Sequence, residues 1–175
     1  GRGAVPTTHP LYIGNLGMHG AYACNMAVNE CDLLFSIGTR FNDRITGKLH
    51  SFAPNAQIVH IDIDTAAISK NVQVDVPIVA DAKEAVTKML EYVTPCETGK
   101  WLDTIEDWKA EHPLKMKKKP IMTPQDVIET INRIFDEAII VTDVGQHQMF
   151  TAQFIEITEK KKLLMSGGLG TMGYG

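Results

Sequence analysis

Charged and polar side chains follow the first clear apolar run of this 175-residue sequence, and their types suit the binding of an anionic group. Residues 33–37 (LLFSI) are followed by Gly38, Arg40, Asp43 and Arg44. The glycine lets the backbone approach a ligand closely, and each arginine can form two parallel hydrogen bonds to a phosphate or a carboxylate. Asp43 can orient its neighbour Arg44. A surface loop that contains an ion pair is the alternative interpretation.

Three further loops carry residues of similar character. In residues 16–20 (LGMHG), two glycines bracket a methionine and a histidine, and backbone N–H groups there can face an anion. Asp62 ends an apolar run, where an acidic residue often accepts hydrogen bonds from a ribose, while Asp64 is better explained as a helix cap. Gln146 and His147 follow a glycine at a predicted helix start, where the helix dipole favours a phosphate. A plain connecting loop is the alternative for the last pair.

Several other kinds of site are not indicated by the sequence. It has no GxGxxG segment of the nicotinamide-binding type, and Ser166 lies in SGGLG rather than in GxSxG. It has no HExxH segment and no zinc-ligand spacing. The three cysteines, Cys24, Cys31 and Cys96, are therefore expected to be reduced and mostly buried thiols.

The composition excludes two classes of partner. With 44% hydrophobic and 22% charged residues, the sequence is typical of a soluble globular protein. The formal net charge of −4 gives no indication of a nucleic-acid-binding surface, and the basic run at 115–119 (KMKKK) is interpreted as a solvated linker. No apolar stretch reaches the roughly 20 residues that span a bilayer, so no membrane partner is expected.

The apolar periodicity alternates between strand and helix, which predicts an α/β fold with parallel sheets. The continuous apolar run at 33–37 predicts a strand that is buried on both faces. Thr123 as N-cap and Pro124 at the first helical position mark one helix start. The predicted strands are 33–37, 58–64, 77–80, 138–142 and 162–166, and the predicted helices are 21–29, 82–93, 101–112, 124–135 and 147–154.

A loop-like stretch with prolines at residues 94–122 contains one of these helices and separates two α/β units. We therefore expect one domain in residues 1–93, a linker with a helix in 94–122, and the beginning of a second domain in 123–175. The sequence starts without a methionine and ends in SGGLGTMGYG directly after a predicted strand, where a helix normally follows. We expect it to be a piece of a longer protein.

Six segments together resemble the catalytic large subunits of acetolactate synthase, also called acetohydroxyacid synthase. They occur in that family's order over nearly the whole chain and are GRGAVPTTHPLYIGNLGMHG, DLLFSIGTRFNDRITGKL, IVHIDID, IMTPQDVI, VTDVGQHQMFTAQF and SGGLGTMGYG. The resemblance implies that residues 1–93 are part of a Rossmann-like, parallel-sheet central domain that is associated with FAD. It implies that residues 123–175 are the truncated N-terminal part of a thiamine-diphosphate-binding α/β domain.

The family's binding residues carry over to matching positions of this sequence. The implied FAD contacts are Leu16, Gly17, Met18, His19, Gly38, Thr39, Arg40, Phe41, Asn42, Asp62, Ile63, Asp81 and Ala82. The implied thiamine diphosphate contacts are Gln146, His147, Gly170, Thr171 and Met172, and the implied substrate channel contains Asp43 and Arg44. No catalytic residue and no metal ligand is expected in this piece, because the family's activating glutamate lies upstream and its magnesium-binding segment lies downstream.

The activity that the resemblance implies is that of a transferase. With thiamine diphosphate, Mg²⁺ and FAD, the full-length enzyme would condense pyruvate with a second 2-keto acid, with loss of carbon dioxide, in branched-chain amino-acid biosynthesis. FAD would undergo no net redox change. The piece alone is expected to be inactive. The resemblance further implies a homodimer or higher homo-oligomer, a possible regulatory small subunit, and a cytoplasmic location, or a plastid or mitochondrial one in a eukaryote.

Two alternatives remain open from the sequence. One is another thiamine-diphosphate enzyme of the same build, such as a glyoxylate carboligase or a catabolic acetolactate synthase without FAD. GTRFNDR and GMHG favour the FAD-containing biosynthetic branch. The other is a non-catalytic nucleotide-binding module.

Overall fold

Parallel strands form two separate sheets in the computed structural model, which describes residues 2–175. The strands are β1 (Leu33–Ile37), β2 (Gln57–Asp62), β3 (Val76–Val79), β4 (Ala138–Thr142) and β5 (Lys161–Met165). The helices are α1 (Tyr22–Glu30), α2 (Asp43–Thr46), α3 (Ala82–Met89), α4 (Gly99–Glu111), α5 (Pro124–Ile134) and α6 (Gln146–Phe154), with a 3₁₀ turn at Leu49–Ser51. The predicted α/β fold with parallel sheets is confirmed.

The chain divides into two compact units, each built on one sheet. The three-stranded unit consists of Leu16–His112 and has the strand order β1-β2-β3, with all neighbours parallel. The two-stranded unit consists of the residues up to Asn15 together with Pro113–Gly175, and it contains the parallel pair of β4 and β5. In a parallel sheet the strands all end at the same edge, so each unit gathers its strand-following loops at one edge.

The core of the three-stranded unit forms around two apolar residues that face each other across β1 and β2. Leu34 and Ile58 are register partners, and they pack with Phe41, Val72 and Val74. Phe41 and Val74 are only 4% and 6% exposed, although both lie outside the strands. The loops that follow β1 and precede β3 are thereby fixed by burial of their own apolar side chains.

The core of the two-stranded unit follows the same principle. Ile140 of β4 and Leu163 of β5 are register partners, and they pack against the buried residues Ile128, Ile155 and Ile157. Ile128 belongs to the apolar stripe of α5, so this helix covers the sheet through the face that its sequence pattern predicts.

The start of α5 has a complete capping box. The Thr123 hydroxyl accepts a hydrogen bond from the Asp126 amide, while the Asp126 carboxylate accepts one from the Thr123 amide at 2.7 Å. Pro124 occupies the first turn, where its missing N–H costs nothing. The Thr123 side chain, and then its backbone, hold the pKa of Asp126 below its usual value, so the carboxylate cap persists at neutral pH.

The prediction that the strand at 33–37 is buried on both faces is wrong for this structure. The side chains of Leu33, Phe35 and Ile37 are 52%, 39% and 43% exposed. The reason is that successive side chains of a strand point to opposite faces, and only the face of Leu34 and Ser36 turns toward the protein interior. The continuous apolar sequence therefore gives β1 two apolar faces, and other described residues pack against only one of them.

Three local features differ from the sequence prediction. Helix α3 ends at Met89 rather than at residue 93. Strand β2 ends at Asp62 rather than at residue 64, because the Asp62 carboxylate accepts a hydrogen bond from the Asp64 amide at 2.9 Å and turns the chain. Helix α2 was not predicted. It has only four residues, and one helical turn has too few positions to show a 3.6-residue period.

The predicted domain boundaries do not coincide with the compact units. Helix α4, which falls in the expected linker of residues 94–122, packs against α1 and belongs to the three-stranded unit. The Tyr22 and His112 rings lie 4.0 Å apart at this contact. The boundaries at residues 93 and 123 concern the domains of the resembled family and remain predictions.

The cysteines and the helices bear on two other expectations. Cys24, Cys31 and Cys96 are all free, but only Cys24 is buried, and Cys96 is exposed. Burial raises the pKa of the Cys24 thiol, which keeps it protonated and unreactive. Among residues 2–175, no helix has both the length and the apolar character to cross a membrane.

Replacing Thr123 with alanine removes the cap of α5. We expect the free energy of unfolding to fall by about 1 kcal/mol, since that is the usual contribution of a threonine N-cap. Urea denaturation followed by circular dichroism measures the change. Thr130→Ala is the control, because its hydroxyl bonds the Asp126 carbonyl within the same helix and its loss should cost less than about 0.5 kcal/mol. An unchanged midpoint for T123A would contradict the role of the cap.

Candidate functional site

The turn at Leu16–Met18 is locked to helix α2 by a close backbone approach. Gly17 has φ 98°, and a Cβ at this position would lie 2.4 Å from the Arg44 carbonyl oxygen. The Met18 amide donates a hydrogen bond to that same oxygen at 2.8 Å. Only glycine fits both the dihedral angle and the contact. The sequence-predicted residues Gly17, Met18 and Arg44 are therefore brought together.

Asn25 of helix α1 strengthens this turn and was not among the predicted site residues. Its side-chain oxygen accepts a hydrogen bond from the Gly17 amide at 2.8 Å, and its side-chain nitrogen donates to the Gly17 carbonyl at 3.2 Å. One amide side chain thus satisfies both backbone groups of the glycine. The available sequence signal is a carboxamide among the small apolar residues of α1.

A cavity of about 300 Å³ lies beside the locked turn. Its lining includes Gly17, Met18, Asp43, Arg44 and Phe52. The guanidinium of Arg44 contacts the Met18 sulfur at 3.8 Å, which places a cation and a soft apolar group at one wall. This volume is at the lower end of small-ligand pockets, and the arginine suits a carboxylate.

The three-stranded sheet gathers the remaining predicted FAD contacts at the edge where its strands end. Gly38 follows β1, Asp62 and Ile63 lie at the end of β2, and Asp81 and Ala82 follow β3. The Gly38 amide bonds the Ile61 carbonyl at 2.8 Å, and the Ala80 amide bonds the Asp62 carbonyl at 3.2 Å. The loops after the three strands therefore start side by side, which is the arrangement of nucleotide-binding α/β sheets.

The loop after β1 is held from two sides. Phe41 has φ 46° and is buried in the core, where its ring lies edge-on to His60 at 5.1 Å between centroids. The Asn71 side chain donates a hydrogen bond to the Arg40 carbonyl at 2.9 Å. The Phe41 side chain is thus part of the core, and only its backbone is available to a ligand. Thr39 and Arg40 are left on the accessible side of the loop.

The end of β2 contains a buried histidine that sequence reasoning missed. His60 is fully buried, and neither ring nitrogen has a hydrogen-bond partner among the described residues. Its Nε2 lies 3.7 Å from a carboxylate oxygen of Asp62. The Asp62 side chain is 12% exposed, so it combines a fixed position with access to solvent.

Asp81 has a structural partner of its own. Its carboxylate accepts hydrogen bonds from the Lys83 and Glu84 amides at 2.9 and 3.1 Å and thereby caps helix α3. Its position at the sheet edge is compatible with the predicted FAD contact, but one carboxylate oxygen is already engaged. Ala82 is the first residue of α3.

The two-stranded unit places its candidate residues in the loops after β4 and β5. Gln146 and His147 are exposed at the N-terminus of α6, directly after Gly145. Gly145 has φ 153°, and a Cβ there would lie 3.1 Å from the His147 ring. The loop after β5 contains Gly170, where a Cβ would meet a Val144 methyl at 4.0 Å. The two loops are therefore in contact.

The loop after β5 exposes two apolar side chains and is held by a hydrogen bond to its own backbone. The Met172 side chain is 72% exposed, and that of Leu169 is 89% exposed. The Ser166 hydroxyl accepts a hydrogen bond from the Thr171 amide at 3.0 Å, which curls the loop back on itself. Thr171 and Met172 are thereby presented next to the end of the sheet.

A pair of alanine substitutions tests the locked turn. We expect Gly17→Ala to lower the free energy of unfolding by at least about 3 kcal/mol, because left-handed strain adds to a backbone clash. Gly38→Ala is the control: its φ is 61°, but a Cβ would meet nothing within 4 Å, so only the strain of about 1–2 kcal/mol applies. The fluorescence of Trp101 and Trp108 reports on this unit in urea. Equal losses in the two variants would contradict the close approach.

Two family models match the chain. The model described as "Thiamine pyrophosphate enzyme, central domain" matches residues 1–89. The model described as "Thiamine pyrophosphate enzyme, C-terminal TPP binding domain" matches residues 143–175. Thiamine pyrophosphate is another name for thiamine diphosphate, and the two matched segments contain the two sets of strand-following loops.

Individual relatives agree with these matches. The chain is 46% identical to the acetolactate synthase large subunit of Cyanidium caldarium, over the whole chain and 31% of that protein. It is 43% identical to the isozyme 3 large subunit of the same enzyme from Escherichia coli K12, and 45% identical to a probable acetolactate synthase large subunit of Methanocaldococcus jannaschii, over 32% of each. The chain spans about a third of the length of these relatives. With its central-domain match over half of its residues, the chain belongs to the thiamine pyrophosphate enzyme family.

Proposed function

We propose that this chain is part of an acetolactate synthase large subunit, a transferase that condenses pyruvate with a second 2-keto acid and releases carbon dioxide. The observation that carries the proposal is the 43–46% identity to large subunits of that name along the whole chain. In that protein, residues 1–93 would belong to the central domain, 94–122 to a linker, and 123–175 to the thiamine-diphosphate-binding domain.

Features of the two-stranded unit fit a bound diphosphate. The Thr142 hydroxyl at the end of β4 is buried and has no hydrogen-bond partner among the described residues. Gly145 opens the N-terminus of α6, and no side chain of residues 2–175 caps this end of the helix. A phosphate oxygen is a suitable acceptor both for a free hydroxyl and for helix N-terminal amides. We assign Gln146 and His147 to the same group.

The remaining thiamine diphosphate contacts in the proposal are Gly170, Thr171 and Met172. The exposed methionine side chain supplies an apolar support for the cofactor's rings, while the glycine permits close backbone approach. Thiamine diphosphate, when bound, supplies a nucleophilic carbon and an electron sink for decarboxylation of a 2-keto acid. The protein's part is to position that group and to exclude water from it.

The strand ends of the three-stranded unit fit the nucleotide part of FAD. The space around Gly38 is open, Arg40 offers a cationic fork, and the Asp62 carboxylate can accept hydrogen bonds from a ribose. The proposed contacts also include Leu16–His19, Thr39, Phe41, Asn42, Ile63, Asp81 and Ala82. In this proposal FAD is bound without net redox change.

Asp43 and Arg44 are proposed to line the path of the keto-acid substrates. Arg44 forms a wall of the 300 Å³ cavity, and its guanidinium suits the carboxylate that every 2-keto acid carries. Asp43 begins α2 and thereby helps to fix the backbone that carries Arg44.

Mg²⁺ and partner subunits complete the proposal. The ion would neutralise the diphosphate. Within residues 2–175, no group of three or more His, Cys, Asp or Glu side chains is placed to hold a metal ion. The resemblance to the family implies that the metal ligands belong to a segment outside this sequence. The relatives are named large subunits, which supports a smaller regulatory partner beside a homo-oligomer. The proposed location is the cytoplasm, or the plastid or mitochondrion of a eukaryote.

The activity is tested on the full-length protein that contains this sequence. With pyruvate, thiamine diphosphate and Mg²⁺ it should form acetolactate, detected as acetoin after acid decarboxylation. The 175-residue chain under the same conditions should form none, because the family's activating glutamate and metal segment have no counterpart in it. Absence of acetolactate with the full-length protein would contradict the proposed activity. Acetolactate formation by the short chain would contradict the expectation that this piece is inactive alone.

The flavin assignment is tested separately. The full-length protein should retain flavin absorbance through gel filtration. Arg40→Ala should raise the Kd for FAD about tenfold, because a charge-assisted hydrogen bond is lost. Lys70→Ala removes an exposed cation of the same unit and serves as the control. Acetolactate formation without bound flavin would favour the FAD-independent branch of the family.

A further inference from the structure

The aspartate between strand β4 and the Gly145 turn contacts the backbone of both cofactor loops. The Asp143 carboxylate accepts a hydrogen bond from the Val144 amide at 2.7 Å. Val144 belongs to the loop that leads to Gln146 and His147. Both carboxylate oxygens also accept a hydrogen bond from the amide of Gly173, in the loop after β5, at 2.9 and 3.0 Å. Asp143 was not among the residues predicted to form a site.

The approach of the second loop to Asp143 is close. A Cβ placed on Gly175 would lie 2.4 Å from the Asp143 nitrogen, so backbone packs directly against backbone. The loop therefore returns to the end of β4 and is held there by the Gly173 amide.

A second anchor holds the other end of the same loop. The Gly170 amide donates to the Ser166 carbonyl at 3.0 Å, and the Thr171 amide donates to the Ser166 hydroxyl at 3.0 Å. Residues 170–172 thus lie between the anchor at Ser166 and the anchor at Asp143. The Ser166 anchor is local to the loop, whereas Asp143 connects it to a different strand.

We propose that Asp143 is a positioning residue whose carboxylate sets the distance between the two loops that bind thiamine diphosphate. The assignment of these loops to the cofactor rests on the proposed function. The carboxylate does not need to touch the cofactor. It fixes Gly170–Met172 relative to Gln146 and His147, so that both sets of contacts can engage one ligand.

The chemistry of the side chain supports this role. An ionised carboxylate has only acceptor sites, so Oδ1 can accept the Val144 amide while both oxygens share the Gly173 amide. An asparagine has the same size, but an NH₂ group in place of Oδ2 would face the Gly173 N–H. The Val144 amide, and then the Gly173 amide, hold the pKa of Asp143 below its usual value, with a smaller contribution from His147 of α6. The carboxylate is therefore ionised at neutral pH.

The anchor itself is tested on the 175-residue chain by amide hydrogen exchange in NMR spectra. In Asp143→Asn, the Gly173 amide should exchange about tenfold faster, because the hydrogen bond that protects it is weakened. The Val141 amide within β4 should be unaffected. Asp136→Asn, which removes an exposed carboxylate before β4, is the control and should leave Gly173 unchanged. Unchanged Gly173 exchange in D143N would overturn the proposal.

A measurement on the unsubstituted chain covers the case in which D143N does not fold. The Gly173 amide shift and the Asp143 carboxyl shift should titrate together, with a midpoint below the ordinary aspartate value of about 3.9. A lowered pKa means that the anchor is complete above that ordinary value and is lost as the pH falls through the folded-state pKa. A Gly173 shift that does not follow the carboxyl would overturn the anchor.

The positioning role is tested on the full-length holoenzyme. Asp143→Asn should raise the Kd for thiamine diphosphate about tenfold, while kcat at saturating cofactor and the retained flavin stay within about twofold of the unsubstituted enzyme. A general loss of stability would instead lower kcat and flavin retention together. Faster Gly173 exchange without a change in Kd would overturn the positioning role. Failure of the unsubstituted protein to bind thiamine diphosphate would overturn the proposed function, whereas a D143N variant that binds as tightly as the unsubstituted protein would overturn only the positioning role.

Discussion

Parallel hydrogen bonding between neighbouring strands is the constraint on which both candidate sites depend. Within each sheet the strands run in one direction, so every loop that follows a strand starts at the same edge. The first residues after β1 and β3 are each joined to the end of β2 by a backbone hydrogen bond. Residues that are far apart in the sequence, such as Gly38 and Asp62, become neighbours as a direct result of strand register.

Side chains bonded to backbone turn these neighbouring loops into fixed ones. Asn25 satisfies both backbone groups of Gly17, Asn71 bonds the Arg40 carbonyl, and Asp143 receives amides from two loops. Asn25 and Asn71 bond loops to which they do not belong, and Asp143 bonds both its own loop and the loop after β5. The candidate ligand contacts then remain free to point outward, which is the preorganisation that tight binding requires.

Much of the fold could be predicted from the sequence, whereas the anchors could not. Local signals in the sequence predict two of the elements: an apolar run predicts strand β1, and a capping box predicts the start of helix α5. Asn25 bonds a residue 8 positions away and Asp143 bonds Gly173, 30 positions away, and no spacing rule connects either pair. The burial of His60 could not be predicted either, because it depends on how Phe41 packs against β2. The family resemblance predicted which residues belong to the sites, and the sheet topology determines where those residues lie.

The left-handed backbone of Phe41 has a consequence for how any ligand would meet the loop after β1. A bulky residue at φ 46° is unfavourable by about 1–2 kcal/mol, and here the cost is offset by packing of the ring against Phe52 and His60. The hydrophobic core, rather than the ligand, therefore dictates the shape of the loop. A molecule that binds beside Thr39 and Arg40 would find the backbone already ordered and would lose little conformational entropy on arrival.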